Sequence, residues 1–66
     1  MKTVKESLDE LPNRIKTVRL IRATGGFIER CSVTEAIQKY GNWTYHSGYS
    51  ESHSEISIWI NQFIKE

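Results

Sequence analysis

A single cysteine, Cys31, in a chain of 66 residues is the feature that most restricts the possible folds. One cysteine cannot form an internal disulfide, and one cysteine with two histidines cannot complete a four-ligand zinc site. A domain of this size buries only about 60% of the surface that its unfolded chain exposes. The chain therefore needs a well-packed core or a partner, and because twofold dimers are the commonest oligomers we expect a homodimer.

The length predicts one domain over residues 1–66, and hydropathy and cysteine usage predict a location in the cytoplasm. The chain starts with Met1 and has neither a signal-peptide apolar stretch nor an apolar run near the ~20 residues of a membrane span. A lone cysteine fits a reducing compartment. The net charge of +1 argues against a strongly acidic nucleic-acid mimic and against a strongly basic coat for nucleic acid.

Two segments carry start and stop signals of helices. Residues 3–11 begin with capping-box spacing, place apolar residues on one face, and end before Pro12. Ser32 and Glu35 repeat the capping-box spacing at the start of a second apolar periodic segment. Gly41 follows that segment, where a glycine in left-handed conformation commonly ends a helix.

Between these helices, Gly25 and Gly26 predict a two-residue turn between two β-strands. Centring the turn there pairs Arg22 with Glu29, a favourable cross-strand ion pair. One face of this hairpin then carries Val18, Leu20, Phe27, Cys31 and Val33, and the other carries Arg19, Ile21, Ile28 and Arg30.

The C-terminal part predicts a second hairpin, with residues 43–46 running out and 55–60 returning. Its buried face carries Trp43, Tyr45, Ile56, Ile58 and Ile60, and its outer face carries Thr44, His46, Glu55, Ser57 and Trp59. Residues 47–55 are polar and are interpreted as a loop. An amphipathic helix through Ile56, Trp59, Ile60, Phe63 and Ile64 is the alternative, but three isoleucines alternating with Ser and Trp favour a strand.

These elements predict an α+β fold of order α-β-β-α-β-β. We expect a small antiparallel sheet of about four strands, with the central helix packed on one of its faces. The sequence leaves open whether the N-terminal helix covers the other face.

No arrangement of residues predicts catalysis, a metal site or a cofactor. Cys31 is expected on the apolar face of its hairpin, away from His46 and His53, so a Cys/His nucleophile is disfavoured. His46, Glu51, His53 and Glu55 lie close in sequence, yet their spacing matches no common metal site. An enzyme or metalloprotein centred on the two histidines is therefore the weakest of three hypotheses.

The leading hypothesis is a non-enzymatic module that binds a partner. Seven aromatic residues is a high number for this length, and Trp59 is predicted to point away from the core. Outward tryptophans often dominate binding energy, and apolar residues on both sheet faces require a cover. The predicted partner-binding residues are Trp59, Tyr49, Ile21, Ile28 and His46.

The second hypothesis is a nucleic-acid-binding β-ribbon formed by the first hairpin. Residues 14–30 contain five basic residues and one acid, a net charge of five minus one, or +4. The predicted contact residues are Arg19, Arg22, Arg30 and Lys16, and a two-stranded ribbon fits the major groove. No stacking aromatics are predicted beside these arginines, which weakens this hypothesis.

Residues 31–43, Cys-Ser-Val-Thr-Glu-Ala-Ile-Gln-Lys-Tyr-Gly-Asn-Trp, resemble a pattern in small accessory proteins of Gram-positive phages and mobile elements. In that pattern a strand enters a capped helix, the helix ends in Tyr-Gly, and an aromatic strand follows. The resemblance covers about a fifth of the chain and carries no functional residue over. It implies a viral protein in the host cytoplasm that binds or inhibits a host protein, including defence proteins, regulates phage genes, or sequesters a small ligand as a dimer.

Overall fold

The computed structural model describes residues 2–62 and confirms the α+β class and the order α-β-β-α-β-β. The elements are α1 (Val4–Asp9), β1 (Thr17–Arg22), β2 (Phe27–Ser32), α2 (Val33–Tyr40), β3 (Thr44–Ser50) and β4 (Glu55–Asn61). The strands form one sheet in the order β2-β1-β4-β3. Both hairpins are antiparallel, but β1 and β4 pair in parallel, so the sheet is mixed and not wholly antiparallel as predicted. Neither helix within residues 2–62 is long and apolar enough to cross a membrane.

Both helices begin at the predicted caps. The Thr3 hydroxyl accepts from the Glu6 N–H at 3.2 Å, and the Glu6 carboxylate accepts from the Thr3 N–H at 2.9 Å, which completes the capping box. At α2, the Ser32 hydroxyl accepts from the Glu35 N–H at 3.1 Å. These side chains satisfy backbone donors that the first turn of a helix leaves unpaired.

Gly41 does not adopt the predicted left-handed conformation. Its φ is −57°, in the right-handed helical region. A Cβ at this position would lie 2.3 Å from the Ile37 carbonyl oxygen. The Gly41 carbonyl also accepts from the Lys5 N–H at 3.0 Å. The Ile37 carbonyl, one turn earlier in α2, therefore leaves no room for a Cβ at this position, which explains the glycine.

The two helices pack on the same face of the sheet. One buried cluster joins them to the two inner strands, and it consists of Val4, Leu8, Val18, Leu20, Ala36, Ile58 and Ile60. Backbone bonds tie the start of α1 to β3, with Val4 N–H donating to the Trp43 carbonyl at 2.8 Å. The N-terminal helix therefore does not cover the opposite face of the sheet.

Residues 55–61 are a strand, so the helical alternative is wrong for this segment, while Phe63 and Ile64 lie outside the described residues. Ile58 and Ile60 are buried and Ile56 packs against the core, as predicted. Residues 47–55 were predicted to form a polar loop, but Ser47–Ser50 continue β3, so that prediction is correct only in part. Backbone pairing with the apolar β4 accounts for a strand of polar residues there.

The predicted register of the first hairpin is wrong by two residues. Leu20 pairs with Glu29, and an irregularity after Leu20 brings Ile21 opposite Phe27. Gly25 and Gly26, with φ of 114° and 106°, lie in a longer connection than the predicted two-residue turn. The bulge reverses the facing of the residues beyond it. Phe27 therefore leaves the core side, and Ile28 packs against the core instead of lying on the outer face.

Candidate functional site

The sheet face opposite the helices, called the open face below, is not covered by either helix described in residues 2–62. Side chains from all four strands lie on it, in rows set by the strand register. One row is apolar and runs Phe27, Ile21 and Trp59 across β2, β1 and β4. Phe27 is 57% exposed, and Tyr49, on β3, is 63% exposed. Ile21 and Trp59 are half-buried by their neighbours along the sheet.

The next row contains charged side chains whose charges cancel, and we call it the charged row. Arg19 and Arg30 are directly paired across β1 and β2. Such like charges repel, and two acids offset them. The Arg30 Nε donates to Glu55 at 2.8 Å, and an Arg19 guanidinium nitrogen lies 3.9 Å from the Glu51 carboxylate. The Arg19 guanidinium also lies 5.7 Å from the centre of the Phe27 ring, within cation–π range.

Ser57 is a buried residue beneath the charged row and contacts one of its acids, Glu51. It is completely buried, although it belongs to the open face by strand alternation. Its hydroxyl donates to the Glu51 carboxylate at 2.5 Å. The Glu51 N–H in turn donates to the Glu55 carbonyl at 3.0 Å, which folds the β3–β4 turn over the sheet. Glu51 is therefore positioned between a buried hydroxyl and the Arg19 guanidinium.

The potential catalytic residues do not assemble into a site. His46 is exposed at a register irregularity of β3, with Nδ1 3.2 Å from the Ser47 hydroxyl. His53 lies in the β3–β4 turn, where its carbonyl accepts from Arg14. Cys31 packs toward the helices, and burial raises the pKa of its thiol, so it remains protonated at neutral pH. Within residues 2–62, no three His, Cys, Asp or Glu side chains are grouped for a metal ion.

The predicted pair between Arg22 and Glu29 does not form. Glu29 instead accepts from the Tyr40 hydroxyl and, at 3.3 Å, from the Lys39 ammonium. The bond to Glu29 raises the pKa of Tyr40 to about 12, and it lowers the pKa of Glu29. Arg22 lies 5.7 Å from the centre of the Trp43 ring. The contacts of Glu29 join α2 to the first hairpin and stabilise the fold.

The structure brings three of the five predicted partner-binding residues together on the open face, namely Trp59, Tyr49 and Ile21. His46 is exposed but lies at the irregularity of the β3 edge. The predicted outward placement of Ile28 is wrong, because Ile28 packs against the core. Phe27 also lies exposed on the open face, although the sequence predicted it on the apolar face of the hairpin. The two glycines before it predicted a two-residue turn, and a local pattern does not place the bulge that turns Phe27 outward.

The four predicted nucleic-acid contacts do not lie on one surface. Arg19 and Arg30 share the open face, whereas Arg22 lies over Trp43, which packs against the core on the helix side. Lys16 precedes β1, and its backbone N–H donates to the Ser54 carbonyl at 2.8 Å. Because β1 also pairs with β4, the first hairpin is not a separate ribbon.

Two open grooves lie on the helix side. One, of about 510 Å³, lies between the end of α1 and the start of α2 and is lined partly by Leu8, Leu11, Pro12, Ile15, Val33 and Ile37. The other, of about 630 Å³, lies between α1 and the end of α2. Among the residues that the structure describes, neither lining includes a histidine or a cysteine.

No protein-family model matches the chain, and neither the curated proteins nor the solved structures provide a match.

Proposed function

We propose that this protein is a non-enzymatic binding module that holds a partner protein on its open face. The observation that carries the proposal is the exposure of Phe27 and Tyr49 on the same face as Trp59 and Ile21. Aromatic residues cost little conformational entropy to fix and are enriched, with arginine, among the residues that dominate protein interfaces. Apolar groups grouped on one uncovered face are typical of an interaction site.

The charge of the open face supports a protein partner over a polyanion. Arg19 and Arg30 already face Glu51 and Glu55, so the charged row contributes two positive and two negative groups. A polyanion approaching this row would meet both carboxylates. A protein surface with paired charges around an apolar centre complements it better, because interface centres are apolar and their rims polar.

The resemblance of residues 31–43 supports a biological setting for this binding. In that setting the protein is an accessory protein of a phage or mobile element, acting in the host cytoplasm. Its partner is a host protein, including a defence protein, and occupancy of the open face inhibits that partner. Separately from binding by the open face, we propose that the chain forms a homodimer, since it is near the lower size limit for independent stability.

The test is comparative capture from lysates of Gram-positive bacteria. Tagged wild type, Trp59→Ala and Tyr49→Ala are compared with Gln38→Ala, which alters an exposed residue of α2. Loss of a dominant interface side chain costs at least about 2 kcal/mol, or roughly 30-fold in affinity. We expect one partner to be retained by wild type and Gln38→Ala and lost by the other two variants. Equal capture by all four proteins contradicts the proposal.

A second candidate is binding of single-stranded nucleic acid on the same face. The observation that favours it is that Phe27 and Tyr49 are exposed on the face that carries Arg19 and Arg30, so stacking groups do accompany these arginines. A labelled mixed-sequence oligonucleotide tests it by fluorescence anisotropy. Affinity that falls steeply with salt and is weakened by Arg19→Ala supports this candidate. Absent binding, or binding independent of salt, removes it.

A further inference from the structure

The two outer strands of the sheet differ in how their free edges are protected. Edge strands expose backbone groups that can pair with another chain, and natural proteins commonly place charges on them. β2 has Glu29 and Arg30 at its centre. Both side chains are engaged in ion pairs, with Lys39 and Glu55 respectively. The charged residues of β2 therefore protect this edge against pairing with another chain.

β3 is covered along only its first residues. Thr3 forms a bridge with Thr44, and the Tyr45 N–H donates to the Lys2 carbonyl at 3.0 Å. The remaining residues, Ser47–Ser50, pair with β4 on one side and are all exposed. Among residues 2–62, no backbone group bonds to the other side of this segment. The segment Ser-Gly-Tyr-Ser carries no charged side chain.

We propose that Ser47–Ser50 pairs antiparallel with the same segment of a second copy of the chain. Four strands from each copy would form one continuous sheet of eight. A twofold axis perpendicular to that sheet leaves each open face on the same side, so the dimer presents two copies of Phe27, Trp59 and Tyr49 on one surface. This inference goes beyond the proposed function, because it holds whether or not the open face binds a partner.

Symmetry restricts the register of this pairing. Successive side chains of a strand point to opposite faces, and a twofold axis perpendicular to the sheet keeps every side chain on its own face. Residues opposite each other must therefore differ by an even number of positions, so one residue lies opposite its own copy. For most of Ser47–Ser50 to pair, that residue is Gly48 or Tyr49.

The same symmetry argues against self-pairing of β2. An axis at either central residue of β2 places Glu29 opposite Glu29 or Arg30 opposite Arg30. Like charges directly opposite each other destabilise a strand pair. On β3, an axis at Tyr49 pairs two aromatic rings, and an axis at Gly48 pairs Tyr49 with Ser47. Both arrangements are neutral, so the edge of β3 is the one suited to a second copy.

Disulfide trapping tests the pairing directly. In a Cys31→Ser background, Tyr49→Cys reports an axis at Tyr49, and the double variant Ser47→Cys/Tyr49→Cys also reports an axis at Gly48. Cα atoms directly opposite in antiparallel strands lie about 4.5–5.5 Å apart, within the range of a disulfide. Arg30→Cys on β2 and Ile21→Cys on the open face are the matched controls. Mild oxidation, a non-reducing gel and the solution mass of the unmodified chain by light scattering are the readouts.

We expect a dimer whose fraction rises with concentration, and several-fold more covalent dimer from one of the β3 variants than from either control. A monomer at every concentration overturns the inference. Preferential trapping through Arg30→Cys or Ile21→Cys also overturns it, because those results place the contact at the β2 edge or between two open faces. Capture of a partner through Trp59 is measured separately, so either proposal can fail without the other.

Discussion

Replacing Phe27 and Tyr49 together by threonine separates binding from stability. Both side chains are more than half exposed, at 57% and 63%, and threonine has a β-branched side chain suited to a strand. Exposed substitutions change stability by about 0.5 kcal/mol each. Loss of the cation–π contact between Phe27 and Arg19 adds about 0.5–1 kcal/mol. The double variant is therefore expected to lose at most about 2 kcal/mol, the sum of these contributions.

Ile58→Ala is the comparison, because Ile58 is 1% exposed and belongs to the core cluster. Truncating such an isoleucine costs about 2–5 kcal/mol. A domain of this size has a total stability of about 3–10 kcal/mol, so Ile58→Ala removes a large part of it. Each kcal/mol shifts the Tm by about 4–8 °C in small domains.

Urea unfolding followed by circular dichroism measures the free energy of unfolding of wild type and both variants. We expect the double variant to unfold between wild type and Ile58→Ala, closer to wild type, with an unchanged dependence on urea. A loss of stability equal to or greater than that of Ile58→Ala would contradict this expectation. It would show that the aromatic residues of the open face hold the fold together and are not reserved for a partner.

Three further substitutions test contacts within the fold. Because the pKa of Tyr40 is raised to about 12 by Glu29, the stability advantage of wild type over Tyr40→Phe is present below about pH 10. That advantage declines as the pH rises through 12, which urea unfolding across alkaline pH measures, and an advantage independent of pH contradicts it. Glu29→Gln has the opposite dependence, because the pKa of Glu29 is lowered from 4.5. Wild type should be more stable than this variant above pH 4.5 and should lose that advantage as the pH falls further. A stability difference that stays constant through acid pH would contradict the lowered pKa of Glu29. Thr3→Ala should cost about 0.5–2 kcal/mol by removing the cap of α1, and unchanged thermal stability would mean that the cap contributes nothing.

The elements that the sequence predicted well depend on local signals. Capping residues at Thr3 and Ser32 placed the starts of both helices. The alternation of isoleucines at 56, 58 and 60 distinguished strand from helix, and their burial confirms that choice. Each of these signals lies within a few residues of the structure it determines, so no tertiary information was required.

The sheet pairing could not be read from local sequence. The parallel contact of β1 with β4 joins segments that are far apart in the chain. The register of the first hairpin depends on α2, because Tyr40 and Lys39 hold Glu29 on the helix side. A turn pattern centred on Gly25 and Gly26 contains no information about those helix contacts.

The residues of the open face were likewise predicted correctly where a local pattern determines them and wrongly where it does not. Trp59 and Ile21 were assigned to an outer surface by alternation within their strands, and strand pairing places them side by side. Phe27 was assigned to the core because the bulge after Leu20 is invisible in a pattern of period two. The stacking group beside Arg19 was therefore missed, together with the argument it supplies for nucleic acid.

We propose above all that the open face binds a partner protein. The most direct test is the dissociation constant of the captured partner, measured by titration calorimetry with wild type and with the folded Phe27→Thr/Tyr49→Thr variant. We expect affinity to weaken by at least roughly 30-fold in the variant and to be unchanged in Gln38→Ala. Equal affinity for wild type and the double variant would place the partner elsewhere on the molecule and exclude binding by the open face.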